Sequence, residues 1–471
     1  MINLPEDFEK RMQGMLESAY PAFVRSYENA KMQALRVNTL KGSVEEFLEK
    51  APFFDKTSIR RVSWESRGFY YDETMPFGKH PFHEAGVYYI QEPSAMTPVS
   101  YLEGKSGEKI LDLCAAPGGK TTQLASYMEN EGLLVCNEIH PARAKILSEN
   151  VERMGLRNAL VTNETPKHLS ELFGEYFDRI LVDAPCSGEG MFRKNEEACS
   201  EWSLENVRLC ADRQDEILDC ADRMLRSGGR LVYSTCTFAP EENEGSVARF
   251  LARHPNYEIV KVDKYEGMSS GRAEWTGDGN TKNIEDTIRL FPHLIDGEGH
   301  YVAVLQKDGE VPNGYQGYLK NGLQKGISAK EVKELLAFER ENLKRNLFEE
   351  NEQRLLRFGE QIYLMPQGMP SLKQLKVLRA GLHLGTLKKN RFEPSHALAL
   401  ALTKEEVQHS MELCPNDKSD MSVINAYLNG QTLNYAGEKG WYLMTCSGYS
   451  IGWGKLAGQI MKNHYPKGLR K

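Results

Sequence analysis

Two cysteines in this 471-residue chain stand where a thiol can do chemistry. Cys186 lies in Asp183-Ala184-Pro185-Cys186-Ser187-Gly188, directly after the apolar run Ile180-Leu181-Val182. Cys236 lies in Ser234-Thr235-Cys236-Thr237, directly after Arg230-Leu231-Val232-Tyr233. Both runs read as buried strands, which places both thiols just beyond strand carboxyl ends. Structural cysteines sit more often inside an element, as Cys210 and Cys220 do in a predicted helix, and Cys136, Cys199, Cys414 and Cys446 read as inert. A strand-end thiol suits one difficult reaction. Carbon 5 of cytosine is too weak a nucleophile to attack a methyl sulfonium. A thiolate added to carbon 6 turns the ring into an enamine whose carbon 5 is nucleophilic, and a carboxyl group hydrogen-bonded at nitrogen 3 supports the charge. After transfer, the carbon 5 proton must leave before the thiol is expelled, and a second thiol nearby can assist. The pocket must favour thiolate, and Lys120 is a candidate electrostatic contributor.

A loop able to hold a methyl donor lies upstream. Residues 111–122, LDLCAAPGGKTT, run from a strand into glycines and then a helix start. Glycines let the backbone approach a ligand, and the amides of the following helix favour polar or negative groups. A Walker A loop needs glycine where Cys114 stands, and G-x-G-x-x-G is missing, so neither a P-loop nor a dinucleotide fingerprint fits. Glu138, about twenty residues past the glycines at the end of the next strand, can accept both hydroxyls of an adenosine ribose.

The elements that must carry these groups follow from the pattern. Strands at 109–113, 132–137, 159–162, 179–182 and 229–234 alternate with helical stretches, one opened by Pro141 and closed by Gly155, another spanning about 204–226. Strands separated by helices predict a parallel sheet covered on both faces, with the ligand beyond the carboxyl ends. Before it, Leu35–Leu40 alternates as a strand, Ser43 and Glu46 form a capping-box pattern, and 72–104 reads as an irregular entry segment. After it come a turn-rich linker from about 308, a charged stretch of helical period over 328–357 whose mixed signs fit a solvated helix face, and a small β-rich region over the last ~85 residues.

Length and composition agree. A chain of 471 residues suggests about three domains. With 40% hydrophobic and 27% charged residues it is neither disordered nor fibrous. Nine cysteines without a CxxC spacing make neither a disulfide framework nor a zinc site, so no metal is expected. No secretory signal or membrane-length apolar run is visible, which predicts a cytoplasmic protein without a membrane partner.

LDLCAAPGGKTTQLA, VDAPCSGEGMFRK and YSTCTFAPEENE resemble the three diagnostic motifs of the NOL1/NOP2/Sun family of RNA cytosine-5 methyltransferases, which use S-adenosylmethionine. YYIQEPSAM and RLFPHLIDGEGHYVAVL are also family-like, and GLHLGTLKKNRFEPSHALALAL with GYSIGWGKLAGQIMKNHYPKGLR resembles the C-terminal region of its bacterial RsmF branch, which methylates small-subunit ribosomal RNA. The resemblance implies a Rossmann-like α/β methyltransferase core with an N-terminal α+β extension and a β-rich PUA-like C-terminal domain. Its parts would be an RNA-binding extension over 1–71, the catalytic domain over 72–308, a linker and first C-terminal domain over 309–385, and a PUA-like RNA-binding domain over 386–471. It implies that Cys236 is the nucleophile, that Cys186 assists release of the methylated RNA, and that Asp183 lies beside the donor and the target base. Cys114, Ala115, Ala116, Pro117, Gly118, Gly119 and Lys120 would cradle the methionine and ribose parts, with Glu138 on the ribose. Where the family often has an aspartate near the adenine, this chain has Thr165, preceded by Asn163 and Glu164.

The implied partner is ribosomal RNA or the small ribosomal subunit, met by a monomer. The net charge is −7, so basic residues must be grouped to meet phosphates. Residues 361–392 contain no acid but hold Lys373, Lys376, Arg379, Lys388, Lys389 and Arg391. Residues 441–471 again contain no acid and hold Lys455, Lys462, Lys467, Arg470 and Lys471, interleaved with Tyr442, Tyr449, Trp453 and Tyr465 as candidate stacking platforms. Trp441 and Trp453 fit better as packing residues. Three other readings compete. A transfer RNA cytosine-5 methyltransferase would share every motif. An exocyclic amino methyltransferase would carry Asp/Asn-Pro-Pro-aromatic where Asp183-Ala184-Pro185-Cys186 stands. A catalytically idle ribosome assembly factor would not need the intact cysteines, glycines and Glu138.

Overall fold

A computed structural model describes residues 3–29, 32–51, 59–72, 74–194, 196–276, 281–310 and 316–470. Part of the linker (311–315) and Lys471 lie outside these. Among the described residues no helix is long and apolar enough to cross a membrane.

The central sheet is the one the alternation predicts. Leu225–Thr235, Phe177–Asp183, Lys109–Asp112, Leu133–Asn137 and Ala159–Thr162 lie side by side in that order, all parallel. Leu111, Val135, Leu160, Ile180 and Leu231 are buried on one face and Ile110, Leu134, Val161, Leu181 and Val232 on the other, so the strands read as unbroken apolar runs. The order reverses between Lys109–Asp112 and Phe177–Asp183, and the crevice at such a reversal is where an open α/β sheet binds its ligand. His300–Lys307 extends the sheet antiparallel to Leu225–Thr235.

Several readings need correction. The N-terminal portion does not end at 71. Its antiparallel sheet, Arg61–Val62, Glu65–Tyr71, Gln33–Val37 and Tyr88–Ile90, takes its last strand from the segment read as irregular. Its strand read to Leu40 stops at Val37, because the buried Asn38 amide turns away to donate to the Gly86 and Met154 carbonyls. The division at 385/386 cuts through the strand Leu382–Lys388, and the region before it is not separate from the catalytic sheet: Val377–Ala380 pairs antiparallel with Ala159–Thr162 at the sheet edge. Nor is 328–357 a long solvated helix. The helix Lys333–Asn342 is followed by a return of the chain in which the buried Glu339 carboxylate accepts the Phe348 and Glu349 amides, and Leu335, Phe338 and Phe348 enter a core.

Beyond the sheet edge, a four-stranded antiparallel sheet from Leu355–Phe358 to Arg391–Pro394 precedes a five-stranded one built on Gly440–Cys446 and Tyr449–Ala457. Trp441, Leu443 and Trp453 of the second share a core with Leu384 and Phe392 of the first. Tyr442, Met444 and Tyr449 share another with Leu35, Phe69 and Tyr88 of the N-terminal sheet. Tyr442, Tyr449, Trp453 and Tyr465 are all buried, so the interleaved aromatics are packing residues rather than base-stacking platforms. Arg379 is also withdrawn from any RNA role: it is buried and ion-paired with Glu152, clamping the added edge strand to the catalytic domain. Lys373, Lys376, Lys389, Lys462, Lys467 and Arg470 remain exposed.

Candidate active site

Adjacent parallel strands carry the two cysteines to one point. Ser234 pairs with Asp183 across Leu225–Thr235 and Phe177–Asp183, so the chain leaves the sheet at the same height twice. Cys236 follows two residues after Ser234, and Cys186 three after Asp183. Their sulfur atoms are 3.4 Å apart and both residues keep partial exposure. Side-chain and main-chain bonds lock the two turns together. Ser187 Oγ and Thr237 Oγ1 are 2.8 Å apart, and the Gly190 amide donates to the Cys236 carbonyl at 2.7 Å. A Cβ on Gly190 would stand 2.8 Å from that carbonyl oxygen, so the close approach requires glycine there. The Cys186 thiol is pushed well up by its hydrogen bond with the Cys236 sulfur and by burial. It therefore carries its proton and can donate toward Cys236.

Asp183 ends its strand beside this pair. Its Oδ2 accepts from Lys120 Nζ at 2.7 Å and its Oδ1 from Ser234 Oγ at 2.8 Å. His300 Nε2 stands 3.5 Å from Oδ1, an electrostatic contact rather than a well-made hydrogen bond. Burial opposes ionisation of Asp183, but Lys120 and His300 outweigh it and hold the carboxyl well below the usual carboxylate range. Burial likewise opposes the Lys120 charge, yet Asp183, Cys236 and Asp112 more than offset it, so the ammonium is a firm cation within electrostatic reach of Cys236.

The glycine loop sits at the end of the neighbouring strand. Gly118 caps the helix Gly119–Met128 at φ +112°, a backbone conformation natural to glycine. The carbonyls of Ala116, Pro117 and Gly119 are taken by Arg143, Asn150 and Arg36, each within 2.8–2.9 Å. The Ala115 amide donates to Asn137. Cys114 is the loop's thiol, and burial with the surrounding carboxylates keeps it protonated. Glu138 ends Leu133–Asn137 as a 3% exposed carboxylate whose Oε1 accepts the His140 amide, with Arg143 3.4 Å from Oε2. Asp112 is fully buried, accepts from Thr121 Oγ1 at 2.6 Å, and is pushed up to about 7 by burial; its other oxygen has no partner. Thr165 is exposed, and its hydroxyl accepts the His168 amide as the cap of Pro166–Leu172.

Several groups here had no signal in the motif spacing. Arg36 reaches the glycine loop from the N-terminal sheet, bonding Gln91, Gly119 and Thr122. His300 comes from the antiparallel strand. Behind Cys236, the tail of the same motif fastens the turn: Asn243 bonds Thr235 Oγ1 and the Thr237 carbonyl, and Glu244 pairs with Arg289, both at most 1% exposed. Removing one partner of such a pair strands the other charge, so Glu244→Ala should cost about 3–5 kcal/mol in urea unfolding. An unchanged midpoint would contradict the pair's role.

The comparisons with known proteins run the length of the chain. Residues 4–93 match the N-terminal domain of 16S rRNA methyltransferase RsmF, 99–306 the family 16S rRNA methyltransferase RsmB/F, 337–402 the RsmF rRNA methyltransferase first C-terminal domain, and 419–471 the methyltransferase RsmF PUA domain. The ribosomal RNA small subunit methyltransferase F of Vibrio cholerae is 32% identical over 99% of this chain and 98% of its own. That of Escherichia coli O157:H7 is 31% identical over 99% and 97%. Among solved structures, a methyltransferase homolog protein from Pyrococcus horikoshii shares 29% identity at a TM-score of 0.57, covering 65% of this chain and 96% of that one. NSun6 from the same organism shares the fold at a TM-score of 0.55 and 22% identity, over 65% and 99%. With four consecutive domain matches and relatives aligned from end to end, the chain belongs to the ribosomal RNA small subunit methyltransferase F family.

Proposed function

We propose that this protein methylates carbon 5 of cytidine in 16S ribosomal RNA, using S-adenosylmethionine and a transient bond between Cys236 Sγ and carbon 6 of the base. The observation that carries this reading is the pair of sulfurs 3.4 Å apart at the ends of adjacent strands, beside the ion pair of Lys120 and Asp183.

The glycine loop, Glu138 and Asp112 fit the donor: a cradle that requires glycine at Gly118, a carboxylate at the second strand end for ribose hydroxyls, and an unpartnered buried oxygen under the loop. When bound, S-adenosylmethionine supplies an electrophilic methyl group on sulfur. Cys236 adds as thiolate to carbon 6, within electrostatic reach of the Lys120 ammonium, and the double-bond electrons move to carbon 5. Asp183, ionised, accepts from the base's amino group and from nitrogen 3, which takes a proton from solvent as the thiolate adds and returns it to solvent when the thiolate leaves. Carbon 5 takes the methyl group. Its proton then passes to a base, the carbon 5–carbon 6 double bond reforms, and the bond to sulfur breaks to return Cys236 as thiolate. Cys186, in contact with that sulfur, is placed for this second half. The exposed lysines of the C-terminal regions hold RNA phosphates, and the protein works as a monomer in the cytoplasm.

Two results test the reading. Glu138→Ala should weaken S-adenosylmethionine binding about 10- to 100-fold in calorimetric titration, the loss of hydrogen bonds to a charged group; unchanged affinity would remove Glu138 from the site. Bisulfite sequencing of ribosomal and transfer RNA from a deletion strain should show a cytosine mark lost from 16S RNA. Loss from transfer RNA alone, or no loss, would overturn the substrate.

A further inference from the structure

Glu242 is a buried carboxyl that the reaction as written does not use. It is 0% exposed. Its Oε2 accepts from the Ser187 amide at 3.0 Å and from Gln214 Nε2 at 2.8 Å, while its Oε1 is buried with no hydrogen-bond partner. Gln214 also donates to the Pro185 carbonyl at 3.0 Å, and the Tyr233 hydroxyl donates to the Glu242 carbonyl. Glu242 and Gln214 thus grip the turn on both sides of Cys186. The titratable groups facing the carboxyl are Cys186 in that turn, Glu189 beyond it, Cys210 on Leu204–Met224 and Tyr233 on Leu225–Thr235. None is a cation. Burial pushes the carboxyl up to about 7, and the Glu189 charge adds to it against the Ser187 and Gln214 donors.

A thiol that assists proton removal must be able to part with its own proton, and a carboxylate at its back opposes that. We propose that Glu242 is a positioning residue that holds the Cys186 turn in place and whose charge, beside the Cys236 contact and burial, opposes proton loss from Cys186. The proposal rests on the reading of Cys186 as the release thiol. With Glu242 ionised, Cys186 keeps its proton and its hydrogen bond to Cys236, the arrangement suited to attack. With Glu242 protonated, the opposing charge is gone and Cys186 releases its proton at lower pH, the arrangement suited to release. Only a proton on Glu242 and a proton on Cys186 change places in this scheme, and no oxidant or metal is needed.

The experiment reads the Cys186 thiol directly, without turnover. In a Cys236→Ser background, the rate of alkylation of Cys186 by iodoacetamide is followed against pH by peptide mass spectrometry. Adding Glu242→Gln should move the curve to lower pH, making Cys186 about tenfold more reactive on the rising limb, as expected for loss of one nearby charge. Glu242→Asp, which keeps the charge, should stay within about twofold of the parent. Gln214→Leu, which removes a donor to the carboxylate and so favours its protonated form, should shift the curve in the same direction as Glu242→Gln; it decides the matter if Glu242→Gln does not fold. Superimposable curves would overturn the proposal while leaving the Cys236 chemistry standing. Failure of Cys236 to trap RNA would instead overturn the underlying reading, whatever the alkylation curves show.

Discussion

Cys236→Ala should lower methylation of its RNA substrate by about 1,000-fold or more while leaving the fold and S-adenosylmethionine binding intact. The size follows from the chemistry: without a bond at carbon 6, carbon 5 has no nucleophilic character to offer, and no other group replaces the sulfur. The residue is partly exposed and not a core element, so truncation leaves no large cavity. Activity within about tenfold of the parent, measured by tritium incorporation, would remove Cys236 from the mechanism.

Cys186→Ala should fail at a different step. Attack and methyl transfer remain possible because Cys236, Lys120 and Asp183 are untouched, but the carbon 5 proton loses its assistant. Turnover should fall by about 100-fold or more, with protein–RNA adduct accumulating and surviving denaturing electrophoresis. The two variants thus separate by what builds up: free components in one, a covalent complex in the other. A Cys186→Ala protein that turns over normally, or that stops without adduct, would contradict the division of labour between the thiols.

Much of the site was readable because each key residue follows a strand whose apolar run is plain in the chain. Cys186, Asp183 and Cys236 follow Ile180-Leu181-Val182 and Leu231-Val232-Tyr233, and parallel pairing of those strands is enough to bring them together. Glu138 and the glycine loop were legible for the same reason. What stayed hidden depends on distant segments. Arg36 grips Gly119 from 83 residues away, and nothing in an alternating strand of the N-terminal sheet marks it as a support for the loop. The edge strand Val377–Ala380 joins Ala159–Thr162 from the far side of a linker, which no local periodicity announces. Thr165 is less legible, because a threonine before Pro166 caps a helix as readily as it contacts a ligand, and here it accepts the His168 amide. The tyrosines of 442–465 misled for a related reason: a Tyr among lysines looks alike whether it faces RNA or a core, and here they are buried beside Trp441 and Trp453, which were read as packing residues. Glu242 lies in a motif that was noticed, yet its grip on the Ser187 amide becomes visible only when the two turns are side by side.

The central claim is a carbon–sulfur bond at one position, and it can be located directly. The protein is incubated with S-adenosylmethionine and RNA carrying 5-azacytidine, which arrests the adduct, and the cross-linked peptide is identified by mass spectrometry after digestion. The nucleotide should be found on the peptide containing Cys236, and the adduct should vanish in Cys236→Ala. A cross-link on Cys186 or any other residue, or an adduct undiminished in that variant, would contradict the account.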